Sequence, residues 1–133
     1  MAISLKLKGV NALKEQLSEE STKLINQAQR ISAFRAVSDL VFATPVDSGR
    51  ARSAWSLNTS KGLVDSQEGS LAPTPTIRLG PVPSDKIETL YITNGTPYIQ
   101  DLNAGSSLQA PARFIETTVS KYFSIKGSVA RIL

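Results

Sequence analysis

From Ala12 to Ala43 the chain contains neither proline nor glycine, and Pro45 follows almost at once. Within that stretch Leu13, Leu17, Leu24, Ala28, Ile31, Phe34 and Val41 recur near helical spacing and form one apolar stripe. About 30 residues at a rise of 1.5 Å give a rod of roughly 45 Å. A rod that long dominates any small domain built around it. Asn11 is placed to cap its start, and it must end at Thr44, because a residue before proline is pushed out of the helical region. A continuous coiled coil is excluded by Glu20 and Gln27, which fall where the heptad needs apolar residues. Two readings remain: a single helix lying across a sheet, or a helix whose N-terminal half packs on a neighbouring subunit. The polar run from Ser18 to Thr22 suggests that this half leaves the domain surface or bends.

The rest of the chain reads as short strands and turns. Ile3, Leu5 and Leu7 alternate with polar residues, the period of a half-buried strand. Trp55 and Leu57 alternate with Ser56 and Asn58 in a second strand. Ile77 and Leu79 mark a third, and residues 90–93 a fourth. Asn94-Gly95 resembles a hairpin signal, but Pro97 follows, so it reads as the stop of the fourth strand. Tyr98, Ile99 and Leu102 suit a short helix ended by Gly105. Pro111 suits the first position of a last helix, with Ile115, Val119 and Tyr122 as its stripe and Gly127 as its stop. Residues 127–133 read as a C-terminal tail.

Residues 58–76 are polar and turn-rich, and a connection this long is unusual inside a compact domain. It reads as a protruding, hairpin-like loop that orders against a partner, or as a plain flexible insertion. With 133 residues the chain forms one domain, 1–133. The expected class is α+β, a small antiparallel sheet packed by one long N-terminal helix and a shorter C-terminal helix.

Composition narrows the function classes. The chain has no cysteine and no histidine, which removes thiol chemistry, the commonest general base and the commonest transition-metal ligand. No Ser-x-x-Lys spacing occurs and no glycine-rich phosphate loop is present. Asp65, Glu68, Asp85 and Glu88 are local acidic pairs, of the kind a magnesium-dependent nuclease would use but also of the kind any surface carries. No catalytic residue, cofactor or metal site is expected. The longest purely apolar run, residues 40–43, is far below the ~20 residues of a membrane span, so no membrane association is expected. A formal charge of +4 is spread along the sequence without a block of like charges. It reads as solvated charge or, alternatively, as the basis of a small basic DNA-binding protein whose affinity falls steeply with salt.

Two segments carry the candidate site. Thr44-Pro-Val-Asp-Ser-Gly-Arg-Ala-Arg-Ser-Ala-Trp55 places a turn and two arginines between the helix and the second strand. Asp47 with Arg50 or Arg52 makes either a local salt bridge that fixes the turn or a set from which one arginine reaches a neighbour's carboxylate. The second segment is Ile92-Thr-Asn-Gly-Thr-Pro-Tyr-Ile-Gln-Asp-Leu-Asn-Ala-Gly105, which adds Tyr98 and Asn103.

The first segment resembles the TPVDTGRLR signature of tail-completion, or neck, proteins of tailed bacteriophages. Residues 92–105 are similar to that family's "N…PYA…LE-G" segment, and residues 107–115 to its "QAPAGFV" continuation. The likeness spans roughly residues 10 to 125. Ser48 stands where threonine is usual, Asn103-Ala104 replaces an acidic-aromatic pair, and Arg113 stands where glycine is frequent. The resemblance implies a non-enzymatic virion protein, made in the host cytoplasm. It would form a six-subunit ring between head-closure (connector) proteins and the tail terminator or tail tube protein, with double-stranded DNA passing through the lumen without sequence-specific binding. Asp47, Arg50, Arg52, Trp55, Tyr98 and Asn103 would then lie at subunit interfaces.

Overall fold

A computed structural model describes residues 2–7, 18–45, 49–60, 62, 74–123 and 128–132. Its elements are β1 (Ala2–Leu7), α1 (Glu19–Ala43), α2 (Arg50–Ser53), β2 (Trp55–Asn58), β3 (Thr76–Arg78), β4 (Leu90–Asn94), α3 (Ile99–Asn103), α4 (Phe114–Val119) and β5 (Ser128–Ile132). The strands form one sheet in the order β3-β2-β4-β1-β5. The α+β class expected from the sequence is the observed one.

Pairing is antiparallel between β1 and β4, β1 and β5, and β2 and β4, but parallel between β2 and β3. That last pairing makes the sheet mixed, where a wholly antiparallel one was expected; the expected protruding loop within residues 58–76 falls mostly outside the described residues. A hairpin returns antiparallel, whereas parallel neighbours need a crossover. Lys61 and residues 63–73 lie outside the described residues. Gly62 is described, and its carbonyl accepts a hydrogen bond from the Thr93 hydroxyl at 3.0 Å.

Residues 128–132, expected as a tail, form β5 beside β1, with Ser4 opposite Arg131 and Lys6 opposite Val129. Val129 and Ile132 were too few to announce a strand without its distant partner. The last helix begins at Phe114, later than Pro111 suggested. Asn11, the expected cap of the long helix, lies outside the described residues.

The described part of α1 starts sharply at Ser18. Its Oγ accepts from the Ser21 amide at 3.1 Å and its carbonyl accepts from the Thr22 hydroxyl at 3.0 Å. Glu19 and Glu20 in the first turn complement the positive end of the helix. The polar run 18–22 thus supplies the cap and first turn of the described helix.

Between helix and sheet, Ala33, Ala36, Val37 and Leu40 of α1 meet Trp55 and Leu57 of β2 and Leu90 and Ile92 of β4, all fully buried. Leu57 sits opposite Ile92, so one sheet face forms a continuous apolar layer. Ile115 and Phe114 of α4 close the cluster. At ~25 cal/mol per Å² of apolar area, burial of this set is the main stabilising term.

The N-terminal half of α1 is attached in another way. Its buried face carries Thr22, Asn26 and Gln29 rather than aliphatic residues. Asn26 Nδ2 donates to the carbonyls of Pro83 (3.0 Å) and Lys86 (2.8 Å), and its Oδ1 accepts from the Glu88 amide at 3.1 Å. Gln29 donates to the Glu88 carbonyl at 3.1 Å. Arg30 holds both carboxylate oxygens of Glu88, at 2.7 and 2.8 Å, and donates to the carbonyls of Leu79, Gly80 and Pro81. A loop that makes almost no backbone ladder is therefore satisfied by one helix face.

The opposite face of α1 shows the largest departure from expectation. Leu24, Ile31 and Phe34, part of the apolar stripe read from the sequence, are 65%, 55% and 51% exposed rather than covered by the sheet, and Phe42 is 75% exposed. Val41 alone of the described large residues in that stripe is buried. The helix has two faces with apolar character, and the sheet covers only one.

Candidate functional site

The residues after α1 are organised around Thr44. Its amide and its hydroxyl both donate to the Leu40 carbonyl, at 3.0 and 2.6 Å, ending the helix. The same hydroxyl oxygen accepts the indole N–H of Trp55 at 2.7 Å in the core. Arg52 then donates to the carbonyls of Thr44 (3.0 and 3.2 Å) and Phe42 (3.2 Å). A guanidinium on the last carbonyls of a helix satisfies acceptors that lack an intrahelical donor and complements their partial negative charge. Gly49, at φ 80°, supplies the left-handed turn that starts α2 and returns Arg52 to this position.

Asn94 joins the second segment to the first. Its Nδ2 donates to the Ala51 carbonyl at 2.8 Å, and its Oδ1 accepts from the Thr96 amide at 2.9 Å. The latter is an Asx turn, and it ends β4 where the sequence placed the stop. One residue pair further out, the Arg50 guanidinium lies 5.8 Å from the centre of the Tyr98 ring, within cation–π range.

Together these contacts enclose an open cleft of about 530 Å³, with Pro45, Gly49, Arg50 and Ala51 on one wall and Tyr98, Leu102 and residues 106–109 on the other. Leu108 stands fully exposed at its lip. The wall chemistry is one aromatic ring, one guanidinium, aliphatic carbons and hydroxyls. Such walls can hold a side chain or a loop of another molecule.

The six residues proposed from sequence therefore separate. Arg50 and Tyr98 face the cleft. Arg52 caps α1, and Trp55 is fully buried in the core. Asn103 is buried between α3 and α4: its Nδ2 donates to both Glu116 carboxylate oxygens at 3.0 Å, and its Oδ1 accepts from the Ile115 amide at 3.0 Å. Asp47 lies outside the described residues, so the salt-bridge alternative for it does too. Trp55 and Asn103 bond within the chain, behind the cleft's walls.

Sequence reasoning missed the side-chain bonds of Thr44 and Asn94, the exposure of Leu24, Ile31 and Phe34, and Phe42 altogether. For Asn94 a signal existed, since Asn before Gly after a strand favours a side-chain turn. Arg113 is the one non-glycine residue at positive φ (62°) among those described, at the N-cap of α4. That backbone region favours glycine, so the arginine side chain is held there at some cost.

Among the described residues no group of three acidic side chains could hold a metal ion, and no helix is long and apolar enough to cross a membrane. Of the acids noted in the sequence, Glu88 is held by Arg30, Asp85 is exposed, and Asp65 and Glu68 lie outside the described residues. Comparison with protein-family models, with curated proteins and with solved structures gave no match in any of the three.

Proposed function

We propose that this chain is a structural, non-enzymatic virion protein of the phage neck, a subunit of the ring that joins the DNA-filled head to the tail. The observation that carries the reading is the second apolar face of α1, which a lone globular domain would not keep in water. An assembly subunit has a use for it. In a head-to-tail ring each subunit presents two different surfaces to its neighbours. The α1 stripe and the Arg50–Tyr98 cleft supply two such surfaces, and the cleft is lined by the segments on which the resemblance rests. The neighbours are further copies in a six-subunit ring, a head-closure protein on one side and a tail terminator or tail tube protein on the other. DNA passes through the lumen without base readout.

The alternative, a small basic DNA-binding protein, draws less support. Arg30 and Arg52 are directed at backbone carbonyls and Glu88, where they cannot also meet phosphates. Deleting the gene from the phage that carries it and viewing the lysate by negative-stain microscopy tests the neck reading. Separate DNA-filled heads and unattached tails are expected, and intact joined particles would refute it.

A further inference from the structure

Along α1, residues 20, 24, 27, 28, 31 and 35 follow the i, i+4, i+7, i+8, i+11, i+15 spacing that keeps them on one side of a helix. All six are exposed. The side chains are arranged symmetrically about the middle: Glu20 and Leu24 before it, Gln27 and Ala28 at it, Ile31 and Arg35 after it. A second copy of the helix, turned end for end, places Leu24 against Ile31 and Ile31 against Leu24. Ala28 meets Gln27 at the dyad, where its methyl permits close approach. Each Glu20 then faces an Arg35 of the other copy. Among the described residues neither Glu20 nor Arg35 belongs to an ion pair within its own chain.

We propose that the free chain pairs with a second copy of itself through this face of α1, in an antiparallel register that aligns residue 24 of one copy with residue 31 of the other. Charge complementarity selects the occupant. A face with acid at one end, base at the other, and Leu24, Ala28 and Ile31 with a central Gln27 between them is matched by its own reverse, as an isologous contact requires. The contact runs over about 22 Å of helix, from residue 20 to residue 35 at 1.5 Å each. An interface of that length is at the small end of specific association, so the pair is reversible. It covers the stripe that assembly would use, so pairing and incorporation into a larger structure exclude each other. The inference does not rest on the neck reading and survives its failure.

The test uses the chain alone: light scattering of the purified full chain over a concentration series, with circular dichroism confirming the fold of each variant. The expected mass rises from 14.3 kDa toward twice that value. Glu20→Arg sets arginine against Arg35 at both ends and is expected to weaken the pair about 10-fold. The double variant Glu20→Arg/Arg35→Glu restores the attraction and with it most of the lost affinity. Ile31→Glu, which removes the apolar contact, gives a monomer. A monomer at all concentrations, an assembly larger than two, or a dimer indifferent to Glu20→Arg overturns the proposal. Failure of the double variant to recover while still folded overturns the register.

Discussion

The indole N–H of Trp55 reaches the hydroxyl of Thr44 at 2.7 Å across eleven residues of sequence, and that hydroxyl in turn donates to the Leu40 carbonyl. One side-chain oxygen thus ends α1, fixes the turn and anchors the first residue of β2. The segment between them is held at both ends before any partner is considered.

Replacing Thr44 by Val keeps the shape and removes the oxygen. The buried indole N–H then has no acceptor, and stability is expected to fall by about 1–3 kcal/mol. Urea denaturation of Thr44→Val measures it, and Trp55→Phe should cost less in that background than in the parent, because the two share one bond and only the cavity left by the smaller ring remains.

Arg30 and Glu88 form a nearly buried pair with bidentate geometry, the side chains 12% and 5% exposed. Arg30→Ala leaves Glu88 without its counter-charge and deprives the carbonyls of residues 79–81 of their donors. A loss of about 3–5 kcal/mol is expected. Hydrogen exchange should show faster opening of residues 79–88 than of the β2–β4 ladder.

Arg113 holds a left-handed backbone that an L side chain adopts at a cost of roughly 1 kcal/mol. Arg113→Gly is expected to leave thermal stability unchanged or raise it by up to about 1 kcal/mol, the glycine's unfolded-state entropy offsetting part of the relief. Gly105→Ala makes the opposite case. At φ 97° its new Cβ would lie 3.1 Å from that of Ala112, and the melting temperature should drop.

The Tyr122 hydroxyl donates to an Asp39 carboxylate oxygen. That bond, then desolvation and the Asp39 charge, raise the phenol's pKa above its ordinary value of about 10, and Arg35 acts weakly in the other direction. A raised pKa means that the fold favours the neutral phenol. The contribution is therefore complete below pH ~10 and is lost as pH rises through the raised value. Tyr122→Phe is expected to be less stable than the parent at pH 7, with the gap closing above pH ~10. Chemical denaturation at both pH values reads it.

Much of the fold was legible because it rests on local signals. Period-two alternation marked β1 and β2, Pro45 fixed the end of α1, and Asn94-Gly95 before Pro97 marked the end of β4. The inward face of α1 was not legible. Its N-terminal half buries Asn26 and Gln29, whose partners are loop carbonyls some sixty residues away, and no periodicity shows such partners. The apolar residues at helical spacing were real but pointed outward, since a pattern shows that a face is apolar without showing what covers it. β5 was missed for the same reason, as its partner β1 stands at the other end of the chain. Of the site residues, Arg50 and Tyr98 were found in the cleft, whereas Trp55 and Asn103 turned inward because their polar groups bond within the subunit.

The central claim, a joining role in the neck, is tested most directly by complementation in vitro. A lysate of the gene-deleted phage is titred before and after addition of the purified chain. The account expects almost no infectious particles before addition and a rise of several orders of magnitude after it, as stored heads and tails join. An untreated lysate already as infectious as that of the parent phage would contradict it.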